Sequence, residues 1–372
     1  MPLRVAQVYG PRWPWLVLLY VSLSIVCGYV SWSRVVIDDK GVAWTNQDSV
    51  DLMVATRSTE PAGLALFPQM RSRMLVPVII VGAKDYLGIP YKVTHDALRL
   101  VFIILAALLF HWHLRTWFSL AEAFTGTVLV LATIAITFNS WFPTTSDFPE
   151  LVGMTVCAGL LIRQRWIWML AALFVYTLNR ETSVILLCVA VAWLYNGKGS
   201  IAKLVLVAAL ILGTWAAAYE FARVASNVGP GSFVVEEAKA GESGGGLISQ
   251  LVGLVQGSWP RRRETILSLL RNPHPYNVNW SPLLVFNIFW FLPLANWRAV
   301  PGHLKRLYLG GLLAGLPAFI LVGVLNEAGR HMIPLYPLVF PAGLYVLFQH
   351  VLPPSAGASA EMQSRDVLWT RN

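Results

Sequence analysis

Residues 163–196, RQRWIWMLAALFVYTLNRETSVILLCVAVAWLYN, hold two apolar runs, 166–178 and 183–195, broken by Asn179-Arg180-Glu181-Thr182. As one helix this stretch would be roughly 45 Å long at 1.5 Å per residue. The hydrocarbon core of a bilayer is only about 30 Å thick, so a single crossing does not use all of it. Two crossings meet the opposite difficulty, because each run alone spans about 20 Å. The junction is therefore expected inside the membrane boundary, in a protein-lined recess reached by water. An ionised side chain facing lipid near the bilayer centre costs about 2.5–3.5 kcal/mol on insertion scales, and this junction carries both signs. Arg180 and Glu181 are adjacent and point in different directions on a helix, so each calls for its own partner or ligand. A hairpin tip held by buried ion pairs is the structural alternative to a functional site.

The rest of the composition agrees with a membrane chain. It is 56% apolar and 13% charged with positive mean hydropathy, the profile of an all-α, polytopic helical membrane protein. Sixteen Trp and twelve Tyr suit belts at the two interfaces. The net charge of +9 gives no argument for nucleic acid, because no basic helix or aromatic-interleaved basic patch stands out. Cys27, Cys157 and Cys188 lie in apolar runs without metal-ligand spacing and are read as packing residues. The first apolar run, 13–32, is long for a signal peptide and is expected to stay as an anchor.

Arg4 and Arg12 place the N-terminus in the cytoplasm. The short apolar segment 74–83, with Arg71 and Arg73 before it and Pro77 within, suits an interfacial or re-entrant helix of the first outer loop better than a span. Helices are then expected at 97–114, 122–140, 148–162, 166–178, 183–195, 201–222, 282–297, 307–325 and 332–352, which with 13–32 makes about ten transmembrane helices. Arg115, Arg163 with Arg165, Lys198 with Lys203, and Arg298 with Lys305 and Arg306 then fall in cytoplasmic connections, as does the tail with Arg365 and Arg371. Letting 74–83 cross would reverse this. The domain reading is one transmembrane domain over 1–352, with outer loops 34–96 and 223–281, and a disordered cytoplasmic tail over 353–372. The second of these loops is long enough to be a lid or binding loop.

The opposite face collects the candidate site residues. Asp38, Asp39 and Asp48 follow the first helix, and any of them serves as a general base if partial burial raises its pKa. Asp147-Phe148-Pro149-Glu150 opens a helix, where two carboxylates suit the dipole and proline suits the first turn. Capping alone explains that motif; a metal or sugar-hydroxyl site is the functional reading. The cofactor stays open, with a divalent cation (Mg or Mn) at Asp147 and Glu150 as the candidate. Arg180 with Arg330, next to His331, and with Arg73 offers a bidentate guanidinium clamp for phosphate, against snorkelling for Arg330. His111-Trp112-His113 has i,i+2 spacing and reads as interface anchoring before metal ligation. No phosphate-binding glycine loop, HExxH, GxSxG or CxxC occurs.

An acidic first outer loop after helix one, the segment Arg71-Ser72-Arg73-Met74-Leu75-Val76-Pro77, the acidic motif ending at Glu150, the Asn179-Arg180-Glu181-Thr182 junction, and Arg330 with the proline-rich last helix together resemble the GT-C superfamily of integral-membrane glycosyltransferases. The likeness in layout covers most of the chain. It implies transfer of a sugar from a polyprenyl-phosphate carrier to an acceptor at the non-cytoplasmic face, by direct displacement with inversion. Asp38, Asp39 or Asp48 would then be the base. Asp147 and Glu150 would assist acceptor or metal binding and Arg180 and Arg330 would hold the donor phosphate, with Arg73, Asn179, Glu181 and His331 as further substrate-binding candidates. The implied partners are a polyprenyl-phosphate-linked sugar and membrane lipid, and the implied location is the bacterial inner (plasma) membrane with both termini cytoplasmic. A membrane transporter or lipid-linked-sugar flippase and an O-antigen polymerase or ligase are the competing readings, the former because interrupted apolar segments mark transport sites.

Overall fold

The stretch YPLVFPAGLYV, Tyr336–Val346, has no polar face, and a helix that is apolar all round has to be enclosed. In the computed structural model Tyr336, Leu338, Val339, Phe340, Ala342 and Leu344 of this helix are fully buried. The structure describes residues 13–33, 74–89, 91–139, 147–195, 201–225, 271, 287–321 and 332–351. In chain order the helices are α1 (Trp13–Ser33), α2 (Leu75–Leu87), α3 (Tyr91–Leu114), α4 (Leu120–Asn139), α5 (Asp147–Ile162), α6 (Trp166–Asn179), α7 (Leu186–Leu194), α8 (Ile201–Ala225), the single-turn α9 (Leu292–Ala295), α10 (Gly302–Leu321) and α11 (Tyr336–Val346). Tighter 3-10 turns occupy Glu181–Ile185, Asn287–Trp290 and Ile333–Leu335, and there is no strand among the described residues.

The side-chain contacts fix the directions. Tyr20 Oη meets His111 Nδ1 at 2.7 Å and its ring lies against Phe124, while Cys27 Sγ donates to the Leu131 carbonyl at 3.5 Å. Helix α1 is thus parallel to α4 and antiparallel to α3. Arg163, just after α5, stacks 3.8 Å over Trp112 and donates to Thr116 Oγ1 at 2.7 Å, so α5 runs parallel to α3. A tight turn then sends the chain back into α6: Arg165 N–H bonds the Leu160 carbonyl and Gln164 N–H the Leu161 carbonyl, with Gln164 at φ 54 in the left-handed place more often held by glycine. Helix α10 lies antiparallel to α7, with Arg306 donating to the Trp193 carbonyl and Gly310 against Val189. Helix α11 packs on α3, α4, α5 and α10.

Among the described residues, two helices are long and apolar enough to cross a membrane, Ala97–Leu114 and Ile201–Ala222. Only 17% of the second window is buried, with Val205, Leu206, Leu210, Leu212 and Phe221 exposed, so this is no core helix of a soluble domain. The other apolar helices within α1, α4, α5, α6 and α7 are shorter than a full span by length. The segment expected to stay out of the bilayer forms α2, of 13 residues, with Val76 and Ile80 buried and Val78, Ile79, Tyr86 and Leu87 exposed. It ends at Gly88, whose φ of +68 a side chain would disfavour. The loop expected over 34–96 is therefore partly helical, by α2 and the first turns of α3.

Two expectations are corrected. The described part of 282–297 is no continuous helix, because Pro293 lacks an N–H and clashes with the turn before it, so the chain restarts there as α9 with proline in its first turn. His111 and His113 are not interface anchors, since both rings are buried, one against α1 and the other against α11. Pro341 offers no N–H to the Pro337 carbonyl one turn earlier. His113 Nε2–H takes that place at 2.8 Å, which sets its proton on Nε2.

His113→Leu therefore strands a buried carbonyl and should cost about 1–3 kcal/mol. In a Pro341→Ala background, where the helix supplies its own N–H, the same change should cost clearly less when both are measured by chemical denaturation in detergent. Equal costs in the two backgrounds would show that the histidine does not substitute for the missing donor.

Candidate functional site

The chain reverses at the polar junction singled out in the sequence. Helix α6 has 14 residues and spans about 21 Å. Its last turn runs out at Asn179, Arg180 takes an extended backbone at φ -160, and the chain re-enters through Glu181–Ile185 into α7. Lys203, at the start of α8, reaches the ring of Trp166 at the start of α6, while the end of α7 leads into α8. The two short arms therefore form a hairpin. Thr177 Oγ1 and Ser183 Oγ close its tip at 2.8 Å, and Met74 N–H donates to the Leu178 carbonyl at 2.8 Å, so α2 begins on top of it.

Arg180 and Glu150 form a buried ion pair, both side chains being fully enclosed. The second carboxylate oxygen of Glu150 accepts from Thr182 Oγ1. One hairpin tip thus holds both oxygens of a carboxylate from the first turn of α5. A charge taken out of water is tolerated only when paired in this way. The pairing needs α5 and α6 close together, and Gly153, one turn on from Glu150, permits it: a Cβ there would lie 2.5 Å from Tyr176. Arg163 sits beside Trp112 and Thr116, so counting back along α5 puts Glu150 level with residues 99–103 of α3, roughly 12–18 Å inside the start of that helix. The pair is thus sealed within the bundle and not in the water-reached recess expected from the sequence; it takes the form of the alternative, a hairpin tip held by a buried ion pair. Arg99, at that level of α3, is a second buried guanidinium.

Of the residues expected to bind substrate, Glu150, Asn179 and Arg180 come together here, with Asn179 buried beside the pair. Asp147 opens α5 and Glu181 opens the 3-10 turn, which places their backbones at the same end. Asp38, Asp39, Asp48, Arg73, Arg330 and His331 lie outside the described residues. The described residues that flank those segments, Ser33, Met74, Leu321 and Met332, follow from the helix directions to the Arg180 end. A divalent cation does not fit Glu150 as it stands, because both its oxygens are engaged, and no group of three His, Cys, Asp or Glu side chains that could hold a metal occurs among the described residues.

Sequence reasoning missed Thr182 as the second ligand of Glu150, and it missed Arg99. The signal for Arg99 was its isolation beside an apolar run. For Thr182 there was no separate signal, since only the fold shows which carboxylate it meets.

Glu150→Leu alone leaves a buried guanidinium unpaired and should cost about 3–5 kcal/mol, as should Arg180→Met. The double variant Glu150→Leu/Arg180→Met should recover most of that loss in thermal or denaturant unfolding; an additive double variant would show that the two side chains act apart. Gly153→Ala should cost about 1–3 kcal/mol through the clash with Tyr176. Comparison of the chain with protein-family models, with curated proteins and with solved structures finds no match.

Proposed function

We propose that this chain is an integral-membrane glycosyltransferase of the GT-C type, with about ten crossings, both termini in the cytoplasm and its active face outside. In this reading it moves a sugar from a polyprenyl-phosphate carrier to an acceptor hydroxyl. The observation that carries it is the buried Arg180–Glu150 pair, a charged tip between two half-length helices at the end where the acidic segments enter and leave the bundle. Intramembrane charges of this kind are functional by default. The opposite end carries Arg115, Arg163, Arg165, Lys203, Arg298, Lys305 and Arg306, as a cytoplasmic face should.

The chemistry follows from the groups available. An aspartate of the first loop, Asp38, Asp39 or Asp48, takes the acceptor proton as the acceptor oxygen bonds to the anomeric carbon. The bond from that carbon to the phosphate oxygen breaks on the opposite side, which inverts the centre and releases the polyprenyl phosphate. Arg180 stabilises the charge on that leaving group. Because Arg180 is held by Glu150, the reading requires the donor phosphate to take the carboxylate's place. A lipid-linked-sugar flippase is the second reading, favoured by the same break between α6 and α7, since discontinuous helices build transport sites.

The test uses purified protein in proteoliposomes with radiolabelled polyprenyl-phosphate hexose and pentose donors. Wild type should transfer label to an acceptor, and Asp38→Asn, Asp39→Asn or Asp48→Asn should remove that transfer for the one residue that is the base. The Glu150→Leu/Arg180→Met variant should fold yet lose about 10²–10³ in rate. Full transfer by that variant would reduce the pair to a structural staple. Movement of the donor across the bilayer without any transfer would decide for the flippase.

A further inference from the structure

Among the described residues, four cation–aromatic pairs lie at the end of the bundle opposite Arg180. Arg163 lies 3.8 Å from the centre of Trp112, Arg306 5.3 Å from Trp193, Lys305 5.4 Å from Trp297 and Lys203 5.9 Å from Trp166. They come from α3, α5, α6, α7, α8, α10 and the connections between them, so they form a collar and not a patch on one helix. Between them lie exposed apolar groups, Ile167, Trp168, Tyr195 and Ile201. The carboxylate of Glu122, in the first turn of α4 at this end, is used locally: it accepts from Ser119 N–H at 2.9 Å and so caps α4. Among the described residues no carboxylate pairs with Arg165, Lys203, Arg298, Lys305 or Arg306.

A tryptophan face holds a cation in place without neutralising it, because the ring contributes a quadrupole and no net charge. Arg163 already spends its terminal N–H groups on the Gly159 and Trp112 carbonyls and Thr116 Oγ1, so the capacity for oxyanions lies with Lys203, Lys305 and Arg306. Indole rings at this height with exposed aliphatic groups beside them match the boundary between headgroups and acyl chains. We infer that this collar binds the anionic headgroups of the facing leaflet, with each phosphate accepting from a cation that a tryptophan holds at the interface. The partner is an acidic phospholipid such as phosphatidylglycerol, chosen over a free anion because the collar joins its charges to exposed apolar side chains that a free anion would leave wet. The inference rests on the reading that these helices lie in a bilayer.

Spin-labelled phosphatidylglycerol and phosphatidylcholine, each added to nanodiscs containing the full chain, report the fraction of lipid immobilised by the protein. Wild type should prefer the anionic label, and the preference should fall by about fivefold for each charge removed in the series Lys203→Gln, Lys203→Gln/Lys305→Gln and Lys203→Gln/Lys305→Gln/Arg306→Gln. It should also collapse in about 1 M salt, where the screening length is about 3 Å. Lys203→Arg/Lys305→Arg should keep it, which separates lost charge from lost packing. Protein that enters the discs but holds both labels equally, or a triple variant that keeps the preference, would overturn the inference alone. Protein that does not enter discs at all would overturn the membrane reading beneath it.

Discussion

A guanidinium in a medium of low polarity has to be paired, and the architecture around the α6–α7 hairpin follows from that requirement. Arg180 is fully enclosed, so its charge must meet Glu150 across the gap between two helices. Meeting it sets the register of α5 against α6, makes Gly153 the point of closest approach, and brings Thr182 to the remaining carboxylate oxygen. The start of α2 is tied to the same tip through the Leu178 carbonyl. Buried pairs often add little net stability compared with apolar side chains of similar size, but losing one partner is costly. The pair therefore acts on alignment more than on total stability.

The two ends of the bundle are chemically unlike. One has carboxylates and a charged tip sunk below the ends of longer neighbours. The other has arginines and lysines laid on tryptophan rings. That asymmetry arises from short connections, since Arg115, Arg163 and Arg165 occupy turns of a few residues that have no freedom to move to the other side.

Much of the helical layout was legible because each apolar run is cut by polar residues at its ends. The run 166–178 becomes Trp166–Asn179, and 148–162 becomes Asp147–Ile162. Hydrophobic pattern sees such edges directly. It does not see partners. The need of Arg180 for a counter-charge could be read, but Glu181 and Asp147 were as eligible as Glu150 until the helices were packed. The roles of His111 and His113 were hidden for the same reason, since their meaning depends on Tyr20 and on Pro337, far away in sequence. The break at Pro293 was available to propensity reasoning and was outweighed by the apolar run around it.

The enclosed position of α11 bears on how the molecule comes together. A ribosome completes α3, α4, α5 and α10 before it delivers the segment that fills the space among them. Until then His113 has no carbonyl to serve and the surrounding walls have nothing to lean on. The assembly waits with a vacant centre until this keystone, made after the helices around it, is inserted.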